Sequence, residues 1–223
     1  MFFHSCFSIF LSMVIWMPAA FASKAKTTEQ YVDLKHTTAR YRKSEMTGMD
    51  VVKTVKSELL GSENVFLGNI LISEGMLRWE THSPEKTLIV YDGEILWNEQ
   101  SPPKEFPGPV QVIRAKLDRK NKAQVMIASL LGGTSIFESF KVLNESINNN
   151  EISYSLEPKI RDLKLKDLMI SVLRKENQIN AISYKDDVGN TTLMKFSNIE
   201  FNKKKNTKLF RYAPPKGAQV NNL

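Results

Sequence analysis

Hydrophobic residues recur along this chain with two different periods. From Thr28 to about Met46, the positions Tyr31, Leu34, Thr38 and Tyr41 follow one another at steps of three and four, with charged residues between them. This spacing places the four side chains on one face of a helix. The sequence therefore predicts one amphipathic helix near its start and a different structure after it.

Beyond this helix the hydrophobic period falls to two, the period of a strand with one buried face. Polar turns interrupt the alternation at near-regular intervals. The pair Asp92-Gly93 is a strong hairpin signal, because a type I′ turn needs two positive φ angles. The predicted strands are Asp50–Leu60, Val65–Ser73, Met76–Glu80, Thr87–Tyr91, Glu94–Asn98, Phe140–Glu145, Glu151–Glu157, Leu163–Lys175, Ile179–Tyr184, Thr191–Phe201 and Lys208–Tyr212. Such a series predicts an antiparallel sheet or barrel of about 11 strands.

The segment after the fifth predicted strand does not fit this series. Residues 101–109 are rich in proline, which excludes a central strand because proline cannot donate to the ladder. Residues 122–131 then read as a short apolar helix that Gly132-Gly133 ends. A sheet this large curls, and one N-terminal helix cannot cover it. The sequence predicts a mainly β fold with helices (α+β): a half-open antiparallel β-barrel with an N-terminal helix and a helical lid.

The first residues have the composition of an export signal. Phe7–Met17 is apolar and shorter than the roughly 20 residues that a membrane-spanning helix needs. Ala20-Phe21-Ala22 follows and matches a signal-peptidase site, which predicts cleavage before Ser23. We expect a signal peptide over residues 1–22 and a single domain over residues 23–223. An uncleaved membrane anchor is the alternative, because the segment lacks Lys and Arg at its start.

After cleavage the chain would be basic and free of cysteine. The single cysteine, Cys6, precedes the apolar run, so we expect no disulfide, no thiol catalysis and no lipid anchor on cysteine. The formal net charge is +7. In an exported protein this charge favours an acidic partner or an anionic membrane surface over nucleic acid.

Motifs for catalysis or cofactor binding are not evident. The sequence contains no P-loop, no G-x-G-x-x-G and no G-x-S-x-G segment. His36 and His82 have no partner at metal-ligand spacing, and Asp186-Asp187 lies in a predicted turn. We therefore expect neither an enzyme nor a bound metal or cofactor.

Two separated segments carry motifs that can be compared with known families. The first comprises Gly68, Leu77-Arg78-Trp79, Pro84-Glu85, Leu88-Ile89-Val90 and Asp92-Gly93-x-x-Leu96-Trp97. The second is the tail Phe210-x-Tyr212-x-Pro214-Pro215-Lys216-Gly217-Ala218-x-Val220. Together they resemble the outer-membrane lipoprotein carrier proteins of the LolA type. We interpret the prolines of the tail as a rigid turn that ties it to the edge of the barrel.

The resemblance implies a half-open β-barrel with a helical lid that carries triacylated lipoproteins across the periplasm. The partners it implies are an inner-membrane ABC transporter of the lipoprotein-releasing type and an outer-membrane lipoprotein receptor, with the carrier acting as a monomer. Burying an acyl chain is favourable by about 0.8 kcal/mol per CH₂ group. A carrier therefore needs an apolar concave surface rather than a catalytic group.

Apolar strand and lid residues are the candidates for contact with acyl chains. On the strands they are Leu77, Trp79, Leu88, Val90 and Leu96, and on the lid they are Val125, Met126 and Leu130. An ordinary core beneath a helix is the alternative interpretation of the strand residues. Alternation alone leaves open which face of each strand lines the cavity.

The chain departs from the family pattern at one turn. The family typically has an arginine just before the segment that corresponds to Leu77–Trp79, where it holds the empty lid shut. This chain has Ser73-Glu74-Gly75-Met76 there, and Arg78 should point to the face opposite Leu77 and Trp79. A periplasmic regulator that senses lipid or lipoprotein on the same fold is the alternative function.

Overall fold

Strands account for most of the ordered backbone in the computed structural model, which describes residues 30–103, 105–116, 135–159 and 165–223. The helices are α1 (Val32–Lys43), α2 (Ile136–Ser139) and a 3-10 helix (Thr207–Phe210). The strands are β1 (Thr47–Ser57), β2 (Ser62–Ser73), β3 (Met76–Ser83), β4 (Thr87–Tyr91), β5 (Ile95–Gln100), β6 (Gln111–Lys116), β7 (Phe140–Asn148), β8 (Glu151–Pro158), β9 (Lys166–Leu173), β10 (Gln178–Lys185), β11 (Thr191–Glu200) and β12 (Gln219–Asn222). None of the helices in these ranges is long and apolar enough to span a membrane.

All twelve strands form one sheet, in the order β12-β6-β5-β4-β3-β2-β1-β11-β10-β9-β8-β7. Neighbouring strands are antiparallel, except that β12 runs parallel to β6. Because β12 and β7 are the two edges, the sheet stays open over the described residues. This architecture confirms the predicted mainly β fold with an open antiparallel sheet and an N-terminal helix.

Helix α1 packs on one face of the sheet, which we call the inner face; the opposite one is the outer face. Leu34 and Tyr41 of α1 share a hydrophobic core with Met49 of β1 and Ile70 of β2. Residues directly opposite one another on adjacent strands project to the same face. The pairing register therefore assigns each strand residue to the inner or the outer face.

The observed helix is shorter than the predicted span of Thr28 to Met46. Tyr31 precedes α1 in the left-handed conformation, with φ of 64°. At the other end Ser44 is already extended, and its hydroxyl donates to the Met46 carbonyl over 3.0 Å. The side chain of Ser44 thus satisfies the backbone where the chain turns from α1 into β1.

Three strand assignments differ from the expectations. Strands β6 and β12 were not predicted, and the predicted strand Lys208–Tyr212 is wrong because the 3-10 helix occupies its first part. Residue Asn206 starts this helix, since its side chain accepts a hydrogen bond from the Lys208 amide and its carbonyl accepts one from the Leu209 amide, each over 3.2 Å. This local capping turns the backbone out of the extended conformation.

Two predicted segments lie outside the described residues. They are the signal peptide, residues 1–22, and the lid helix, residues 122–131, which includes Val125, Met126 and Leu130. Residues Tyr31–Leu223 form one compact unit. The predicted domain start at Ser23 stays a prediction.

Candidate functional site

Strand β3 places Leu77 and Trp79 on the inner face. Leu77 lies opposite Ile72 of β2, and Trp79 lies opposite Ile70. Both predicted site residues belong to the core that includes Leu34 of α1. Leu77 is fully buried and Trp79 retains 7% exposure.

The pairing register extends the inner face from β3 across β4 to β5. Leu77 lies opposite Tyr91, and Tyr91 lies opposite Leu96. Three of the five predicted strand residues, Leu77, Trp79 and Leu96, therefore share the inner face. This face also carries four apolar or aromatic residues that the sequence reasoning did not nominate, namely Phe66, Ile89, Tyr91 and Ile113. Only the pairing of the strands identifies these four residues, because each lies opposite an inner-face residue of the adjacent strand.

The expectation that Leu88 and Val90 line the same surface is wrong. Val90 lies opposite Arg78, and Leu88 lies opposite Glu80, so both project to the outer face. The sequence of β4 is TLIVY, which is apolar on both faces. Its alternation therefore could not identify the inner face.

A C-terminal segment on the outer face explains the complete burial of Val90. The guanidinium of Arg78 donates to the Leu209 carbonyl over 3.2 Å. Further on, the Tyr212 hydroxyl donates to a Glu99 carboxylate oxygen over 2.6 Å. The segment thus crosses from β3 to β5 and covers β4 between them. We call residues 209–212 the outer strap.

The turn between β2 and β3 confirms the expected orientation of Arg78. Glu74 and Gly75 both have positive φ, at 47° and 81°, and the Glu74 carboxylate pairs with the Lys205 ammonium over 2.6 Å. Arg78 lies on the outer face with its Nε 2.5 Å from the Glu80 carboxylate. It is therefore directed away from Leu77 and Trp79.

One basic residue lies on the apolar inner face. Lys53 of β1 pairs with Phe66 of β2 and with Met194 of β11. Its Nζ lies 5.3 Å from the centre of the Phe66 ring and 5.7 Å from that of the Trp79 ring. Burial lowers the pKa of the Lys53 ammonium below its ordinary value.

The outer face carries an open groove of about 680 Å³ with a different character. Its lining includes Arg78, Glu80 and Lys203, and the Asp50 carboxylate accepts hydrogen bonds from Asn69 over 2.5 Å and from Asn198 over 2.6 Å. This polar, charged lining is poorly suited to acyl chains, because polar groups lose free energy when an apolar chain covers them. The inner face is therefore the candidate site for an apolar ligand.

The described part of the chain holds no cluster of metal-binding side chains on either face. Across the described ranges, no cluster of three or more His, Cys, Asp or Glu could hold a metal ion. His36 is exposed on α1, and the His82 ring is hydrogen-bonded to Asn69 on the outer side of the sheet. Along β1 to β6 the inner face offers apolar and aromatic surface with the Lys53 ammonium, and at the far edge of the sheet Glu145 of β7 lies on the same face, opposite Tyr154.

Comparison with known proteins matches the sequence of this chain to one family. Residues 55–213 match the family described as outer membrane lipoprotein carrier protein LolA. The outer-membrane lipoprotein carrier protein of Neisseria meningitidis serogroup C is 27% identical over 154 residues, which cover 67% of this chain and 68% of that protein. The protein of the same name from Pseudomonas fluorescens is 30% identical over 149 residues, or 66% of each chain.

A solved structure, that of a LolA superfamily protein from Nitrosomonas europaea, is 12% identical with a TM-score of 0.47 and covers 81% of this chain and 97% of that one. The family match extends from β1 through the outer strap, so it includes the whole of the first motif segment and the start of the second, Phe210 to Tyr212. The chain therefore belongs to the LolA family of outer-membrane lipoprotein carrier proteins.

Proposed function

We propose that this protein is a periplasmic carrier that binds the acyl chains of lipoproteins on the inner face of its sheet and shuttles them from the inner to the outer membrane. The match of residues 55–213 to the carrier family is the observation that carries the proposal. The inner face supports it, because Leu77, Trp79 and Leu96 lie together with Phe66, Ile89, Tyr91 and Ile113 on one side of the sheet.

Hydrophobic transfer supplies the free energy of binding in this mechanism. Each CH₂ group moved from water to the inner face contributes about 0.8 kcal/mol, and no bond is made or broken. Leu77 is fully buried and Leu96 retains 5% exposure, so a ligand reaches them only if the packing around them opens. The cost of opening lowers the net affinity, which favours transfer of the cargo to a receptor.

The partners and location follow from the same proposal. Cargo would be triacylated outer-membrane lipoproteins, received from an inner-membrane ABC transporter of the lipoprotein-releasing type and delivered to an outer-membrane lipoprotein receptor. Export would remove residues 1–22 and release a monomer, beginning at Ser23, into the periplasm. Val125, Met126 and Leu130 would serve as the lid over the bound chains.

A release assay tests the carrier function. The exported protein is added to spheroplasts that contain the cognate transporter and make a labelled outer-membrane lipoprotein, and the soluble fraction is analysed for a one-to-one complex. A soluble complex is the expected result. A folded protein that binds an acyl probe but releases no lipoprotein would favour the lipid-sensing regulator, and one that does neither would contradict both functions.

Tryptophan quenching tests the location of the acyl chains. Once residues 1–22 are removed, Trp79 and Trp97 are the two remaining tryptophans, and they lie on opposite faces because Trp97 pairs with Val90. A bromine-labelled acyl chain should quench the fluorescence of the Trp97→Phe protein, which retains Trp79. It should leave the Trp79→Phe protein nearly unquenched, and the reverse pattern would place the ligand on the outer face.

A further inference from the structure

Lys53 is an unusual residue for the surface on which it lies. Its pairing partners on the two adjacent strands, Phe66 and Met194, are apolar, and its side chain is half-buried. A lysine can bury its methylene stem and extend its ammonium to water. Here the ammonium instead lies within 6 Å of two ring centres, Phe66 and Trp79, a distance at which a cation is attracted to the ring faces.

The strand positions around Lys53 supply no negative charge. On the inner face its neighbours along β1, β2 and β11 are all uncharged, namely Val51, Val55, Asn64, Gly68, Thr192 and Phe196. Among the described residues no carboxylate lies within salt-bridge distance of the ammonium, whereas six other ion pairs are present. A half-buried ammonium in an apolar site, with no carboxylate near it in the described ranges, would gain electrostatic stabilisation from an anionic ligand.

Position along the sheet defines which ligand would fit. Toward the start of β1, the inner face is fully buried at Met49 and Val51. Toward the other end, Val55 and Phe66 are only half-buried. Lys53 lies at this boundary, so a ligand with its apolar part against the buried region could present a head group to the ammonium.

We propose that Lys53 binds the anionic head group, a carboxylate or a phosphate, of an acyl-chain ligand whose hydrocarbon lies on the inner face. This inference rests on the proposed function, because it takes the inner face as the acyl-binding surface. It adds that the protein discriminates among acyl ligands by the charge next to the chain. Free fatty acids and phospholipid head groups both carry this chemistry.

Matched lipids separate the charge effect from acyl binding. Dissociation constants are measured at pH 8 for palmitate, palmitoyl lysophosphatidate and neutral monopalmitoylglycerol, each below its aggregation concentration. The unsubstituted protein should bind one or both anionic lipids about tenfold more tightly than the neutral one, a factor equal to 1.4 kcal/mol. Tighter binding of palmitate would identify the preferred anion as a carboxylate, and tighter binding of palmitoyl lysophosphatidate would identify it as a phosphate.

Three variants locate the effect. Lys53→Met should reduce the preference to about onefold by weakening the binding of the anionic lipids, and Lys53→Arg should retain the preference. Lys195→Met removes the same charge from an exposed outer-face position on β11 and should not alter the preference. Equal affinities for charged and neutral lipids, or a preference that survives Lys53→Met, would overturn the inference without affecting the proposed function. Failure of all three lipids to bind would instead contradict acyl binding itself.

Discussion

The Tyr41 hydroxyl on α1 accepts a hydrogen bond from the backbone amide of Ile179 on β10, over 3.1 Å. Both residues are buried, with exposures of 2% and 0%. Burial raises the pKa of Tyr41 well above its ordinary value, although the Ile179 amide acts in the opposite direction. The bond therefore joins the helix to the sheet through a neutral hydroxyl in the core.

Replacing Tyr41 by phenylalanine should destabilise the fold. The substitution leaves the Ile179 amide buried without its partner, and an unsatisfied buried donor costs about 1–3 kcal/mol. Urea unfolding should therefore show a lower midpoint with an unchanged slope. Tyr91→Phe is the matched control, because the hydroxyl of Tyr91 donates to the Gly93 carbonyl at an exposed position. An equal loss of stability in the two variants would mean that the buried, unpaired Ile179 amide is not the cause of the destabilisation.

Gly68→Ala should destabilise the protein, although alanine is ordinarily tolerated within a strand. A Cβ atom at this residue would overlap the backbone carbonyl of Glu80 on β3, where the β2–β3 register shifts between Leu67 and Gly68. Backbone cannot move aside as a flexible side chain can, so we expect a loss of about 1–3 kcal/mol in the free energy of unfolding. Gly108→Ala is the control, because its Cβ would meet nothing within 4 Å. A stable Gly68→Ala protein would indicate that β2 and β3 can separate locally at little cost.

Local sequence patterns predicted the parts of the fold that depend on neighbouring residues in the chain, such as helix periodicity, turns and strand alternation. The helical spacing of Leu34 and Tyr41 marks the apolar stripe of α1, and Asp92-Gly93 marks the turn between β4 and β5, where Gly93 has φ of 105°. Strands with one buried face, such as β8, alternate visibly in the sequence. Family membership was also predicted, because its motifs are local.

Properties that depend on pairing with distant segments were not predictable in the same way. Val90 is buried because the outer strap, more than 100 residues later in the chain, crosses it. Strand β12 exists because Val220 pairs in parallel with Val112 of β6, although its sequence QVNN has little strand character. The site prediction failed at Leu88 and Val90 for the same reason: apolarity is local, but the face is fixed by register.

Tyr212→Phe should loosen the outer strap. Its hydroxyl donates to the Glu99 carboxylate over 2.6 Å, and its ring centre lies 5.3 Å from that of Trp97. Burial and the Glu99 carboxylate both raise the pKa of Tyr212, so the hydroxyl stays protonated and able to donate. The variant keeps the ring contact and loses the hydrogen bond, which at this half-buried position should cost about 1 kcal/mol.

This loss of stability is measured by urea unfolding, with tryptophan fluorescence as the signal. Arg211→Ala changes the adjacent residue, whose side chain is exposed, and should leave the midpoint within error. Acyl-ligand affinity should be unchanged in both variants, because the outer strap lies on the face opposite the proposed site. A weaker affinity in Tyr212→Phe would show that the two faces are coupled.

Lys53→Met should stabilise the protein in the absence of ligand, in contrast to its effect on anionic lipids. The ammonium has lost hydration and has no anion among the described residues, and the contacts with Phe66 and Trp79 offset only part of that cost. Methionine has a similar length and no charge. Removing a functional group of this kind commonly adds about 0.5–2 kcal/mol to the free energy of unfolding.

The pH dependence identifies the charge as the cause of this gain. Burial lowers the pKa of Lys53 in the folded protein from its ordinary 10.5, so between these two values the unfolded chain binds more protons than the folded one. Stability contributed by this group therefore rises with pH across that window, and the penalty is fully present below the lowered pKa. The advantage of Lys53→Met should be largest at pH 7 and shrink as the pH approaches 10.5. Tyrosines that titrate in the same range are common to both proteins and cancel in the difference, so an advantage that stays constant from pH 7 to pH 10 would assign it to packing rather than to charge.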